Sequence, residues 1–253
     1  LIHTDKEIRA ADAVVFSTGA TKSGWRILTE LGLKMTQIVP SLFTFNIQDD
    51  RINELPGTSF PEATVRVIGS KFTETGPLLI THWGLSGPSI LKLSSVAALH
   101  LNGCHYNFQI QINFSGQTAQ VWKKVIDQLK KVHSKKLIKN YKTNQIPHRY
   151  WERLVQKLDL TKTPFAELTK KKQNRLIEEL TQALFQVTGK STFKEEFVSA
   201  GGIDLSEINF ETMETKRYPG LYLAGEILDI DALTGGFNFQ ACWTGGWIIS
   251  ETI

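Results

Sequence analysis

Leu221-Tyr-Leu-Ala-Gly-Glu-Ile-Leu-Asp-Ile-Asp-Ala-Leu-Thr-Gly-Gly-Phe-Asn-Phe-Gln240 is the stretch on which the fold turns. Gly220 to Gly225 is a short, almost wholly apolar run, the texture of a buried strand. It delivers Glu226, Asp229 and Asp231 to the carboxyl edge of that strand, and Gly235-Gly236 then opens a helix expected from about Asn238 to Glu251. In an open α/β sheet, ligands sit beyond the carboxyl ends of the strands. Glycines there let the backbone approach a ligand, and the first N–H groups of a helix present positive partial charge. A carboxylate at the strand end accepts hydrogen bonds from sugar-like hydroxyls, and Asn238 and Gln240 add neutral donors and acceptors. A Gly-Gly pair alone reads as a flexible turn beside solvated acids. The ordered succession of strand, Gly-Glu, Asp, Gly-Gly, Asn-x-Gln and helix reads as a nucleotide-cofactor site.

The same grammar appears near the beginning of the chain. Ala11 to Ser17 is a short apolar run suited to a buried parallel strand, ended by Thr18-Gly19. A helical pattern follows, with Trp25, Ile27, Leu28 and Leu31 on one side and Gly32 as its C-terminal cap. Between these two α/β ends the texture changes. Ser41–Ile47, Ala63–Gly69 and His105–Phe114 alternate with period two and are punctuated by Pro56-Gly57 and Gly76-Pro77, as antiparallel strands are. One helix interrupts them, capped by Ser86 or Gly87 and begun by Pro88, with Ile90, Leu91, Leu93, Ala97 and Ala98 as its inner stripe.

Residues 117–182 are helical and rich in lysine. Val121, Val125, Ile126, Leu129 and Val132 recur at helical spacing, then Trp151, Leu154, Val155 and Leu158, then Leu176, Ile177, Leu180 and Leu184. Phe185–Val187 and Phe193–Ser199 return to strand texture. The nesting predicts an α/β fold with a discontinuous Rossmann-like domain. Residues 1–39 and 206–253 form part of that domain, 40–116 and 183–205 a β-rich insertion, and 117–182 a basic helical subdomain.

Composition bounds what such a chain does. It has 253 residues, 41% hydrophobic and 21% charged, an ordinary globular balance. No apolar run reaches the ~18 residues that a membrane-spanning helix needs, so no membrane partner is expected. Cys104 and Cys242 lie far apart, which excludes a disulfide scaffold or cysteine-based zinc site and fits a reducing, cytoplasmic compartment. The six histidines form no ligand spacing, and no metal site is expected. The net charge of +4 hides a segregation, because residues 117–182 hold 16 Lys and Arg against 6 Asp and Glu. Lys123-Lys124, Lys130-Lys131, Lys135-Lys136 and Lys170-Lys171-Lys172 could contact phosphates, and Trp122, Tyr141, Tyr150 and Trp151 could stack on bases. Helices also put lysines on their wet face as a matter of course. A solvated face is the stronger reading of composition alone, with no nucleic-acid partner expected.

At its end the chain resembles the bacterial flavoprotein family known as NAD(FAD)-utilising dehydrogenases or aminoacetone-oxidase-like FAD-binding proteins. The residues that carry the resemblance are Thr212-Met213-Glu214-Thr215-Lys216, Pro219 to Glu226, Asp229-Ile-Asp231 and Gly235-Gly236-Phe237-Asn238-Phe239-Gln240. The family's Gly after the second Asp is Ala232 here, and its Tyr is Phe237. Val198 to Ile203, Thr81-His82-Trp83-Gly84-Leu85-Ser86-Gly87-Pro88, Ala13 to Gly19 and Ile146-Pro147-His148-Arg149 are similar to further family segments. The resemblance implies an FAD-dependent oxidoreductase that passes hydride between NAD(P)H and a small organic molecule. It implies that Thr18, Gly19, Gly225, Glu226, Asp229, Gly235, Gly236, Asn238 and Gln240 surround the cofactor and that His82, Gly84, Ser86 and Gly87 lie toward the substrate. His82 is also readable as a histidine satisfied by backbone at a tight turn. No catalytic acid or base stands out, and the oligomeric state is not legible.

The Gly-x-Gly-x-x-Gly turn that opens such flavoproteins does not occur in these residues. The expectation is a truncated chain, the carboxyl-terminal portion of a longer protein, holding FAD weakly or not at all by itself and inactive alone. Two other readings remain open at this point, a nucleic-acid-binding module and a non-catalytic remnant.

Overall fold

The structure, a computed structural model, describes residues 2–3, 6–191, 198–233 and 235–253. Its α-helices are α1 (Lys22–Glu30), α2 (Pro88–Val96), α3 (Ala98–Gly103), α4 (Ala119–Val132), α5 (His148–Lys157), α6 (Lys170–Thr181) and α7 (Phe237–Thr252). Two compact units divide the chain: residues 1–41 with 196–253, and residues 42–195.

The first unit is built on four strands in the order Ile208–Asn209, Glu214–Thr215, Leu221–Leu223, Val14–Phe16. The last pair is parallel, with Leu221 opposite Val14 and Leu223 opposite Phe16. The strand near the beginning is shorter and wetter than its apolar run predicts. Val14 and Phe16 are half-buried and Val15 is exposed, because Leu221–Leu223 is the strand paired with it among the described residues.

Helix α1 follows directly. Thr21 caps it by accepting the Gly24 N–H at 3.2 Å, and Gly32 ends it in the left-handed conformation at φ 83°. The Gly32 N–H donates to Thr29 O and the Leu33 N–H to Leu28 O, the paired bonds of a Schellman motif. Trp25 and Leu28 are buried, and the Trp25 indole donates to Ile227 O at 3.1 Å. Ile27 and Leu31 are exposed instead of sharing that inner face. At 100° per residue, Trp25 and Leu28 already fill the contact with the sheet.

In the second unit seven strands form one antiparallel sheet, in the order Ala183–Val187, Phe108–Asn113, Ser59–Val67, Thr73–Ile80, Gly84–Ser86, Thr44–Asn46, Gly189–Ser191. The expected strand over Ser41–Ile47 is two short ones, Val39–Ser41 and Thr44–Asn46, parted by Leu42 at φ 54°. A bulge at Pro61-Glu62 takes up the residue that cannot donate to the ladder. Phe60, Phe114 and Tyr150 pack together in the core of this unit, with centroids 4.6–5.0 Å apart.

The lysine-rich helices, which share one core with the sheet, depart from their sequence reading at both ends of the apolar pattern. In α4, Trp122 and Ile126 are buried while Val121 and Val132 are exposed. Leu184 does not continue α6: Gln182 ends the helix, and Leu184 is an outward residue of the strand Ala183–Val187, whose Ala183, Phe185 and Val187 point in. The expected strand Phe193–Ser199 lies largely outside the described residues, which resume with Val198–Ala200 paired to Val39–Ser41.

Candidate functional site

In the first unit the parallel pair brings two glycine-bearing turns out of the sheet side by side. The Ala224 N–H donates to Phe16 O at 3.1 Å, so Gly225 leaves its strand next to Ser17, Thr18 and Gly19. Gly225 (φ 81°) and Gly19 (φ 65°) both adopt the left-handed conformation that glycine alone takes without strain. The Thr18 hydroxyl sits where a side chain at position 24 would be, so Gly24 is what lets Thr18 seat on the first turn of α1. Sequence reasoning missed Gly24, because a helical glycine carries no signal of what lies over it.

Two further glycines hold the acidic loop. Gly202 packs on the backbone of Leu228 and Asp229, where an added Cβ would lie 2.7 Å from the Asp229 nitrogen. Ile203 donates to Ile227 O at 2.9 Å and accepts from the Asp229 N–H at 3.0 Å. The stretch Gly201-Gly202-Ile203 is therefore a clamp on residues 227–229. Asp231, half-buried, accepts from the Ser41 hydroxyl at 3.3 Å. Burial pushes its carboxyl above the ordinary value of 3.8; Ser41 pulls it back and the neighbouring charge of Asp229 adds to the rise.

Asn238 does not hold its amide free. Its Oδ1 accepts from the Ala232 N–H at 2.7 Å and its Nδ2 donates to Ala232 O at 3.4 Å, closing the loop that leads into α7. Ala232 is not among the residues with positive φ, so this backbone does not require the family's glycine. Gly236 (φ 85°) is the residue before α7, and among the described residues no side chain caps the first turn, which leaves its leading N–H groups for other acceptors. Gln240 is exposed and donates to Thr244 at 3.2 Å. Cys242 packs on Gly225; burial raises its thiol pKa and the Glu226 charge adds to that. Along α7, Phe239, Trp243 and Trp247 recur every fourth residue and are 67–68% exposed, with Phe239 and Trp243 stacked at 6.1 Å.

In the second unit the segment Thr81 to Pro88 is a tight turn, a short strand and a helix start. Gly84 (φ 149°) lies so close to the strand Thr44–Asn46 that a Cβ would be 2.6 Å from the Ile47 nitrogen, and Gly87 (φ 95°) caps α2 against the backbone of 77–79. Ser86 is half-buried in the strand. These glycines are required by packing. His82 is exposed and makes no side-chain hydrogen bond among the described residues, so the backbone does not satisfy it. It borders two adjoining polar cavities of about 500 and 660 Å3. Asn53 and Ile47 line both, and Trp83, 53% exposed, lines the larger. Sequence reading did not single out Trp83 or Asn53. No sequence signal marks them, since the exposure of Trp83 is set by the fold.

The lysine-rich helices place their aromatics inward. Trp122, Tyr150 and Trp151 are buried and Tyr141 packs on Trp151 at 5.2 Å, so none of the four is a base-stacking platform. Among the described residues no group of three or more His, Cys, Asp or Glu could hold a metal ion, and no helix is long and apolar enough to cross a membrane.

The chain is 29% identical over 238 residues to the ribosomal RNA dihydrouridine synthase of Escherichia coli K12 and 26% identical over 237 residues to that of Haemophilus influenzae Rd, in each case over 93% of its own length. It is 25% identical over 260 residues, 98% of its length, to the 3-dehydro-bile acid delta(4,6)-reductase of Clostridium scindens. It spans 57%, 56% and 63% of those three proteins. Residues 39–198 match the family described as HI0933-like protein barrel and H2TH domain, and that match covers more than half of the chain, so the protein belongs to the HI0933-like family.

Proposed function

We propose that this chain is part of a flavin-dependent reductase that saturates a carbon–carbon double bond conjugated to a carbonyl, and that its substrate is a uracil base of ribosomal RNA. The names of the relatives support the reaction class. Dihydrouridine is uridine with its C5–C6 bond reduced, and a delta(4,6)-reductase acting on a 3-dehydro bile acid saturates double bonds in line with the 3-oxo group. Two substrates of unlike shape thus share one electronic change, as expected where a cofactor carries the chemistry and the protein supplies binding and orientation. A module that only binds nucleic acid is not favoured by such relatives.

The residues of the first unit suit part of a Rossmann-like FAD site. Gly19 and Gly225 keep side chains out of the strand-end turns, the uncapped start of α7 after Gly235-Gly236 offers N–H groups to an anion or carbonyl, and Glu226 and Asp229 offer acceptors to hydroxyls. Thr18, Gly19, Gly225, Glu226, Asp229, Gly235 and Gly236 would hold it. Asn238 would act by shaping its loop and Gln240 from the exposed face of α7. FAD, when bound and reduced by NAD(P)H, supplies a hydride. His82, exposed beside the cavities shared with Asn53 and Trp83, is the group best placed in its own unit to touch a planar substrate.

The test uses the full-length protein. Expected are a stoichiometric flavin absorbance band, reoxidation of the reduced flavin by ribosomal RNA isolated without this modification, and a mass gain of about two hydrogens on one uridine. A colourless protein, or reduced flavin that RNA does not reoxidise, would overturn the reading.

A further inference from the structure

The helical subdomain offers a surface that the redox site does not use. Helices α4 and α6 lie side by side, joined by Lys130 donating to Gln173 at 3.0 Å and Gln173 donating to Asp127 at 2.8 Å. Together they carry eight cationic residues against three acidic ones. Two of the acids are already engaged: Glu178 holds Arg175 at 2.9 Å, and Glu179 is buried against Arg51 at 2.8 Å. Lys123, Lys124, Lys131, Lys170 and Lys171 are exposed and have no partner among the described residues. Between the helices opens a cavity of about 550 Å3 whose rim includes Gln120, Lys123, Lys171, Asn174, Arg175 and Glu178. The cavity floor is mostly apolar, with Ala119 and Ile177 in its lining, and the cations and amides stand around its rim.

We infer that the α4–α6 face grips the phosphate backbone of a folded RNA, with Lys123 and Lys171 at the cavity meeting phosphates and Gln120 and Asn174 meeting ribose hydroxyls. This rests on the reading of RNA as substrate. The inward turn of Trp122, Tyr150 and Trp151 decides the kind of RNA. A single strand is held by stacking its bases on exposed rings, which this face lacks. Double-helical RNA is recognised by shape through phosphate and 2′-hydroxyl contacts, which need what this face presents. Helix α4, with 14 residues, is about 21 Å long at ~1.5 Å per residue, enough to follow several successive phosphates.

The experiment measures binding of the full-length protein to a fluorescein-labelled RNA hairpin across a salt series. In Lys123→Glu/Lys171→Glu the affinity is expected to fall about tenfold or more, and the slope of log K against log salt to flatten by about one to two. A charge-matched control, Lys142→Glu/Lys162→Glu, alters exposed lysines of the same subdomain outside the two helices and is expected to bind within about twofold of the parent. Equal loss in the control, or none in the α4–α6 variant, overturns the inference. A preference for an unpaired strand over the hairpin overturns it too. Unchanged circular dichroism and melting exclude misfolding, since the altered side chains are exposed. Face-dependent hairpin binding without uridine reduction would sink the reductase reading alone. Normal reduction of ribosomal RNA by the charge-reversed variant would sink this inference alone.

Discussion

An added Cβ at Gly202 would strike the backbone of Leu228 and Asp229, atoms that cannot swing aside, whereas one at Gly246 on α7 would meet nothing within 4 Å. The two glycines therefore have opposite prospects. Gly202→Ala is expected to destabilise by about 1–3 kcal/mol, the usual cost of forcing extra volume into close packing. Gly246→Ala is expected to stabilise by up to about 1 kcal/mol through helix propensity. Urea unfolding of both variants checks this, and if the clamped loop carries the proposed cofactor contacts Glu226 and Asp229, the loss in Gly202→Ala should be accompanied by weaker cofactor retention. The sequence shows both positions as the letter G. What separates them is the neighbour across space, and no local pattern encodes that. The same limit applies to Asn238, legible as a polar group at the right place but not as one that spends its amide on Ala232.

Among elements, the best-read features were those with a local cause. The helix after Gly87-Pro88 and the Gly32 cap of α1 stand where their residues predict, because a proline at a first turn and a glycine at positive φ act within a few residues. Leu184 reads as helix because an apolar residue four positions after Leu180 continues the helical period, whereas Gln182 has already ended α6 and Leu184 lies on the outward face of the next strand. One unanticipated tie joins these elements: Arg51 donates to both oxygens of Asp49 at 2.7–2.8 Å, to Glu179 of α6 at 2.8 Å and to Leu184 O, and its guanidinium lies 3.8 Å over the Phe185 ring. Burial works against its charge, but the two carboxylates outweigh that and hold its pKa above the ordinary arginine value. Arg51→Ala leaves buried Glu179 with the half-exposed pairing to Arg175 at 3.3 Å in place of its buried guanidinium and is expected to cost up to about 3 kcal/mol. Asp49→Asn should cost less, since Glu179 stays engaged. Chemical denaturation of the two variants gives the comparison, and equal losses would contradict the assignment of Glu179 as the costly partner.

For the molecule as a whole, the same cluster sets a pH dependence. Burial raises the Asp49 carboxyl, but the hydrogen bonds and charge of Arg51 outweigh it and hold the pKa below its ordinary value of 3.8. A carboxyl whose folded pKa is depressed stabilises the fold fully above its unfolded value and ceases to do so as pH falls through the folded one. The urea midpoint is therefore expected to vary little through Asp49 above about pH 5 and to fall below about pH 4. Asp49→Asn should flatten that acid limb, and superimposable limbs would show that other carboxyls set it. The mixed α/β character and the lysine-rich helices were legible because composition and periodicity are read over long windows. The seven-strand order was not, since pairing such as Gly189–Ser191 with Thr44–Asn46 joins residues more than a hundred positions apart.

The indoles divide into two optical populations. Trp25, Trp122 and Trp151 are buried, whereas Trp83, Trp243 and Trp247 face water. Half of the emitters are thus open to collisional quenchers such as acrylamide, and half are shielded. Trp83 sits at the polar cavities near His82 and the other two on the outer stripe of α7, so occupancy at either place would register as a blue-shifted, less quenchable emission without any added label.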